Sequence, residues 1–263
     1  MIGARQFKIR RVNGRLISSC ASDLLAVEEP LEIRVDSVPV AVTMRTPGHD
    51  EELAAGFLYS EKMITESGQI LGIRENARNR EGNSIDFFLV SCTSRAPVQS
   101  PRRFVINSSC GLCGKASIHE VLRRCPPFRT VAIPKRKTIQ NLAEQLSDSQ
   151  KVFSATGGLH GVALFSMGGK LLVAREDVGR HNAVDKVIGW ALLEKRSNQR
   201  NILMVSGRIS FEIVQKALNA RIPVIAGISA PTSLAVELAR KSRLTLIGFA
   251  RGQCFNVYAG KIR

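Results

Sequence analysis

The chain has 263 residues, 44% hydrophobic and 23% charged, which suits one large globular domain, or a domain with a smaller lobe, and excludes a disordered chain. Lys and Arg outnumber Asp and Glu 38 to 22, a formal charge of +16. That charge favours an anionic partner (nucleic acid, anionic lipid, a phosphorylated ligand or an acidic protein) unless it serves solubility alone.

The basic start lacks the apolar core of a secretory signal, and no apolar run approaches the roughly 20 residues that span a bilayer, so a cytoplasmic chain with no membrane span is expected. Phe7, Ile9 and Val12 alternate with Lys8, Arg10 and Arg11, predicting a first strand with basic outward residues. "PLEIRVDSVPVAVTMRTPG" (30–48) predicts a hairpin turning at Asp36-Ser37. "HDEELAAGFLYSEKMI" (49–64) predicts a helix, acidic in its first turn, with Leu53, Phe57 and Leu58 on its apolar face. "SIDFFLVSC" and "RRFVIN" are strand-like, and "ASIHEVLRR" (116–124) is helical. A further helix is predicted over 138–153 with Thr138 as its N-cap.

After residue 154 the pattern changes. A strand pair over 161–177 hinges at Gly168-Gly169. Helices at 179–195, 210–219 and 231–240 then alternate with strands at 201–206, 222–226, 243–249 and 254–258. The fold class is therefore α/β, a mixed sheet flanked by helices, with a smaller N-terminal β-rich lobe. "PKRK" (134–137) divides the chain into a β-rich lobe over 1–137 and an α/β core over 138–263, or is a surface loop of a single domain.

Of the six cysteines, only Cys110 and Cys113 are close in sequence, in "SSCGLCGKAS". A reducing compartment is implied, and Cys20, Cys92 and Cys125 are expected to be small buried apolar residues. C-x-x-C serves zinc ligation, dithiol redox or sulfur carriage. A structural zinc site wants a second ligand pair, and none follows, so no metal is assigned. Flanking glycines leave the thiols accessible, and the helix start that follows them lowers a thiol's pKa. These features favour a nucleophilic or sulfur-carrying role without eliminating the others.

Five more stretches can carry chemistry. "TGGLHG" (156–161) is a glycine-rich turn with His160, able to offer amide N–H groups to an oxyanion or to be merely structural. In "AREDVGRHNAVDKVIGWALL", Asp177, His181 and Asp185 fall at i, i+4 and i+8, a spacing that would flank the imidazole with two carboxylates, or else a solvated salt-bridged face. "VSGRISFEIV" sets Ser206, Gly207 and Arg208 between a strand and a helix, and "ISAPTSLAVELA" does the same with Ser229. Such turns are where open α/β sheets bind phosphates. In "GFARGQCFNVYAG", Phe249 and Arg251 are placed to flank a planar base, or simply belong to a hairpin.

Taken in order, "PLEIRV…MRTPG", "LAAGFLYSE", "CGLCG", "TGGLHGVALF", "REDVGRHNAVDKVIG", "SGRISFEIVQKA", "GISAPTSLAVELA" and "LIGFARGQCFNVY" resemble the formate dehydrogenase accessory sulfurtransferases, the FdhD/NarQ family, over roughly residues 25–260. The resemblance implies a cytidine-deaminase-like core and a homodimer. It implies a sulfur carrier that takes sulfur from a cysteine desulfurase as a persulfide and passes it to the molybdenum of Mo-bis(molybdopterin guanine dinucleotide). That cofactor is bound transiently and destined for formate dehydrogenase. It places the persulfide on Cys110, with Cys113 as partner, and the cofactor-binding segment on Phe249, Ala250, Arg251, Gly252, Gln253 and Cys254. Family members often carry a basic or small residue where Cys254 stands. Ser206, Gly207, Arg208, His160, His181 and Ser229 join that segment as cofactor-binding candidates from their own turns and neighbours. Deamination is not implied, because "LHGV" lacks the required glutamate and no P-C-x-x-C follows. The competing readings are a non-catalytic cofactor-binding chaperone and a nucleic-acid binder. The second has no base-reading motif and few aromatics for stacking.

Overall fold

A computed structural model describes residues 2–13, 16–75, 83–90, 105–106, 121–122 and 126–263. Cys92, Cys110, Cys113, Cys125 and most of the helix predicted over 116–124 lie outside the described residues.

β1 (Ala4–Asn13) is the predicted first strand, and it pairs antiparallel with β2 (Leu16–Ala26), which the sequence reading did not anticipate. β3 (Glu29–Val35) and β4 (Val38–Arg45) form the predicted hairpin. Asp36 and Ser37 both take positive φ (48° and 68°), as a two-residue turn matched to strand twist requires. With β5 (Ile70–Glu75), β6 (Ser84–Leu89) and β7 (Val105–Ile106) they complete a five-stranded sheet in the order β5-β6-β3-β4-β7. Leu31, Ile33, Ile85 and Phe87 bury its inner face against α1 (Asp50–Ser60) through Leu53 and Leu58.

α1 ends four residues before the predicted boundary. Lys62 adopts a left-handed φ of 61°, and the Met63 N–H turns back to the Leu58 carbonyl, a Schellman-type closure. The helix predicted over 138–153 is two helices, α2 (Arg136–Ser149) and α3 (Lys151–Thr156). Thr138 is not the N-cap. Lys135 holds that position, and the start is set by the distant chain end, because the Arg136 N–H donates to the Arg263 carbonyl and the Arg263 N–H donates to Pro134. Gln150 breaks the run, and the Glu176 carboxylate accepts the Val152 and Phe153 N–H groups at the new helix start (3.0 and 2.7 Å).

The second sheet has six strands: β8 (His160–Ser166), β9 (Leu171–Asp177), β10 (Asn201–Val205), β11 (Val224–Gly227), β12 (Thr245–Arg251) and β13 (Cys254–Ala259). Their order is β13-β12-β11-β10-β8-β9, with β10, β11 and β12 parallel and the outer pairings antiparallel. β10 shows why this run is apolar throughout: Leu203 and Val205 face one core while Ile202 and Met204 face the other. The first core is covered by α4 (Arg180–Leu193), α5 (Phe211–Asn219) and α6 (Ser233–Lys241), the second by α2 through Ile139, Leu142 and Leu146.

α1 lies on α4 at a backbone-to-backbone approach. A Cβ on Gly56 would overlap the Asp185 carbonyl, and one on Gly189 would overlap that of Glu52. Around this contact, Arg175 makes a two-pronged bond to Glu52 (2.5 and 2.6 Å), Asn182 Nδ2 donates to the Met44 carbonyl, and Thr43 Oγ1 donates to Asn182 Oδ1. Burial alone would raise the Glu52 carboxyl, but hydrogen bonds from Arg175 and His49 and their charges together outweigh it and hold the pKa below the usual carboxylate value.

Candidate functional site

Strand direction gathers the predicted residues. β10, β11 and β12 run parallel, so their carboxyl ends, Ser206–Ser210, Ile228–Thr232 and Phe249–Gly252, share one edge of the sheet. β8 and β13 run the other way and therefore start at that edge, with His160 and Cys254, while β9 ends there with Asp177. α4, α5 and α6 start from this edge with N-caps Gly179, Ser210 and Thr232. Three positive helix ends thus face the same side.

The turns are tied to one another. The Gly161 N–H donates to Ser206 Oγ (2.9 Å), and the Ser206 N–H donates to the Gly161 carbonyl. That pair sets His160 beside Gly207, where a Cβ would stand 3.1 Å from the imidazole Nδ1. The Ile209 N–H donates to the Ala230 carbonyl and the Thr232 N–H to the Ile209 carbonyl, which locks the second turn onto the first. The Phe249 N–H reaches the Ser229 carbonyl (3.3 Å), and Arg251 Nε reaches that of Ile228 (3.3 Å).

Phe249 is a non-glycine residue at φ 53° and is 42% exposed. Backbone strain held at an exposed aromatic is a pattern of ligand sites. Ala250 is buried in the α2-side core, whereas Arg208, Arg251, Gly252, Gln253 and Cys254 are exposed.

The carboxylate–His181–carboxylate face does not form. Asp177 ends β9 before the helix begins, so the i, i+4 spacing is not helical there. Its carboxylate is fully buried, ion-paired to Lys186 Nζ (2.7 Å), and accepts the Thr46 and Gly179 N–H groups and Asn182 Nδ2. Asp185 faces α1 and takes both oxygens' contacts from Lys216 Nζ (2.8 Å each) and one from Ser60 Oγ. Burial pushes the Asp185 carboxyl up, with Lys216 opposing. His181 instead shares a hydrogen bond with Ser210 Oγ (3.2 Å). Its pKa is lowered to about 4 by burial, then by the charges of Lys216 and Arg180. His160 is lowered too, by burial and by Arg180. Both imidazoles are therefore neutral hydrogen-bonding groups at neutral pH.

Arg180 joins the site as a positive neighbour of both histidines. It opens α4 near both histidines, and its Nε is buried with no hydrogen-bond partner among the described residues. Ser210 and Lys216 were not singled out. Ser210 was legible only as the first residue of the helix predicted over 210–219; Lys216 had no local signal.

An open-sheet α/β protein is thereby defined, with its candidate site at the carboxyl ends of three parallel strands and under three helix N-termini. The sequence profile described as the FdhD/NarQ family matches residues 26–263. The chain belongs to that family. It is 48% identical to the Sulfur carrier protein FdhD of Mycobacterium tuberculosis over 90% of each chain. It is 45% identical to the protein of the same name from Sulfolobus acidocaldarius, covering 97% of this chain and 96% of the relative. A crystal structure described as a formate dehydrogenase accessory protein, from Desulfotalea psychrophila, superimposes with TM-score 0.77 at 25% identity, over 98% of this chain and 97% of that one. Among the described residues no helix is long and apolar enough to cross a membrane.

Proposed function

We propose that this chain is a sulfur carrier and sulfurtransferase that accepts sulfur from a cysteine desulfurase as a persulfide on Cys110. It passes that sulfur to the molybdenum of Mo-bis(molybdopterin guanine dinucleotide), its transient cargo, on the way to formate dehydrogenase. On this reading it works in the cytoplasm as a homodimer, on a core of the cytidine-deaminase-like type. The observation that carries the reading is the gathering of Ser206–Arg208, Ser229 and Phe249–Cys254 at one sheet edge beneath three helix N-termini, in a chain that also contains CGLCG.

Each residue then has a task. The helix ends and the hydroxyl-bearing turns receive the cargo's phosphates. Arg180, whose Nε has no hydrogen-bond partner among the described residues, and the exposed Arg208 and Arg251 supply the balancing charge. The exposed face of Phe249 stacks on a guanine. Neutral His160 donates or accepts a hydrogen bond without adding charge. The Cys110 thiolate attacks the outer sulfur of the donor's persulfide, a new S–S bond forms, and the desulfurase thiolate leaves. Release of that sulfur as sulfide takes two electrons. A Cys113 thiol attacking Cys110 Sγ supplies them and leaves a disulfide.

Intact-mass measurement after incubation with a cysteine desulfurase and cysteine is expected to find one added sulfur, lost in Cys110→Ala. Guanosine diphosphate serves as the probe of the sheet edge. Formate dehydrogenase fully active in cells carrying Cys110→Ala refutes the sulfur-carrier reading. Nucleotide binding and activation that both survive loss of the two thiols favour a cofactor chaperone without sulfur chemistry.

A further inference from the structure

β1 and β2 form a sheet of their own, an antiparallel ribbon whose strands pair only with each other among the described residues. The family match begins at Ala26, the last residue of β2, so the ribbon lies outside the unit that the family profile covers. A two-stranded ribbon is marginally stable alone in water. This one also leaves large apolar side chains uncovered: Phe7 is 46% exposed and Val12 61%, with Leu24 and Leu25 exposed beside them. Its described residues hold Arg5, Lys8, Arg10 and Arg11 against a single acid, Asp23. Arg5 has Glu29 at 3.8 Å, whereas Lys8, Arg10 and Arg11 have no ion pair among the described residues.

The root of the ribbon stands at the candidate site's edge of the molecule. The Val27 N–H donates to the Gly3 carbonyl, and Thr46 Oγ1 donates to the Val27 carbonyl. The same Thr46 hydroxyl accepts the Val178 N–H, one residue from the start of the α4 cap. Gly158, two residues before His160, lies against Ala26, where a Cβ would meet the alanine's at 3.1 Å. The ribbon therefore springs from the edge at which the cargo is proposed to sit.

We propose that the β1–β2 ribbon is a docking arm for an acidic protein surface, and that its occupant is the enzyme that receives the cargo, formate dehydrogenase. This rests on the function proposed above. Charge and composition select the occupant. A second copy of this chain would bring the same unpaired cations against each other, at a cost. A nucleic-acid backbone would use the charge but leave Phe7, Val12, Leu24 and Leu25 uncovered. An acidic patch with an apolar centre covers both sets, and Arg with an aromatic is a typical protein-interface pairing. A receiver held there faces the sheet edge.

The test uses the full chain and the purified formate dehydrogenase apoprotein of the same organism, with binding measured by biolayer interferometry between about 50 and 200 mM salt, the range over which exposed charge pairs lose strength. Wild type is expected to bind and to weaken as salt rises. The triple variant Lys8→Glu, Arg10→Glu, Arg11→Glu is expected to bind about tenfold more weakly or worse at low salt. Phe7→Ser is expected to weaken binding while the salt dependence stays. All four substituted residues are exposed, so melting curves and Cys110 persulfide loading should match wild type, and each variant can be checked for folding by both. Binding of the triple variant within twofold of wild type overturns the proposal. So does a wild type that does not bind the apoprotein, or a triple variant whose only losses are dimerisation, desulfurase binding or duplex DNA binding. Failure of persulfide loading in wild type strikes the sulfur-carrier reading instead, and leaves the docking result to stand on its own measurement.

Discussion

Acidification is expected to destabilise the fold through His181. The imidazole is buried against Ser210, with Lys216 and Arg180 nearby, and its pKa is lowered to about 4. In the unfolded chain it returns to about 6.5. Between those two values the unfolded state binds more protons than the native one, so stability falls as pH drops below 6.5 and this contribution is spent below 4. A difference of about 2.5 pKa units is worth about 3 kcal/mol, a large share of a domain's net stability. Urea unfolding of wild type and His181→Gln at steps from pH 7.5 to 4 isolates the term, because every other titrating group is common to both. Wild type should lose about 3 kcal/mol more than the variant across that range. Parallel curves, or an imidazole resonance assigned to His181 that titrates near 6.5, would refute the reasoning. The consequence for the site is direct: its positive potential at neutral pH comes from helix ends and arginines, not from this histidine.

Three further outcomes follow from the packing. Gly56→Ala should drive a methyl into the Asp185 carbonyl and cost roughly 1–3 kcal/mol or more, read as a lowered Tm; an unchanged Tm contradicts the close α1–α4 approach. Lys186→Met should cost about 3–5 kcal/mol by stranding the buried Asp177 carboxylate, and adding Asp177→Asn should recover part of the loss in denaturant titration; purely additive losses argue against the pair. Glu52→Gln should cost about 1–2 kcal/mol at neutral pH by weakening the Arg175 fork. That difference should shrink in acid as the wild-type carboxylate protonates through its lowered pKa, and one that does not change with pH contradicts it.

The second half of the chain was legible because its central strands β10 and β11 are buried on both faces and its helices are punctuated by short turns. Predicted spans such as 201–206 and 210–219 agree with Asn201–Val205 and Phe211–Asn219 within a residue or two. The Asp36-Ser37 turn was legible because two residues between strand-like runs admit few geometries. β2 was not, because "LISSCASDLLA" has neither strict alternation nor strong strand formers and gains its pairing from β1. The start of α2 was missed because its cap comes from Arg263, far along the chain. The split at Gln150 was missed because the cap of α3 comes from Glu176.

By itself the sequence determined the fold class and the family, and it picked out the turns that the fold gathers at one sheet edge, since these follow from local periodicity, turn chemistry and an ordered set of motifs. Tertiary structure alone decided which of the charged residues meet. Asp177, His181 and Asp185 look like one face at helical spacing, yet each is drawn to a different partner, Lys186, Ser210 and Lys216. The physical reason is that a buried charge takes whichever counter-charge the packing brings within hydrogen-bond reach, and that partner is set by the crossing of α1, α4 and α5, not by neighbours in sequence.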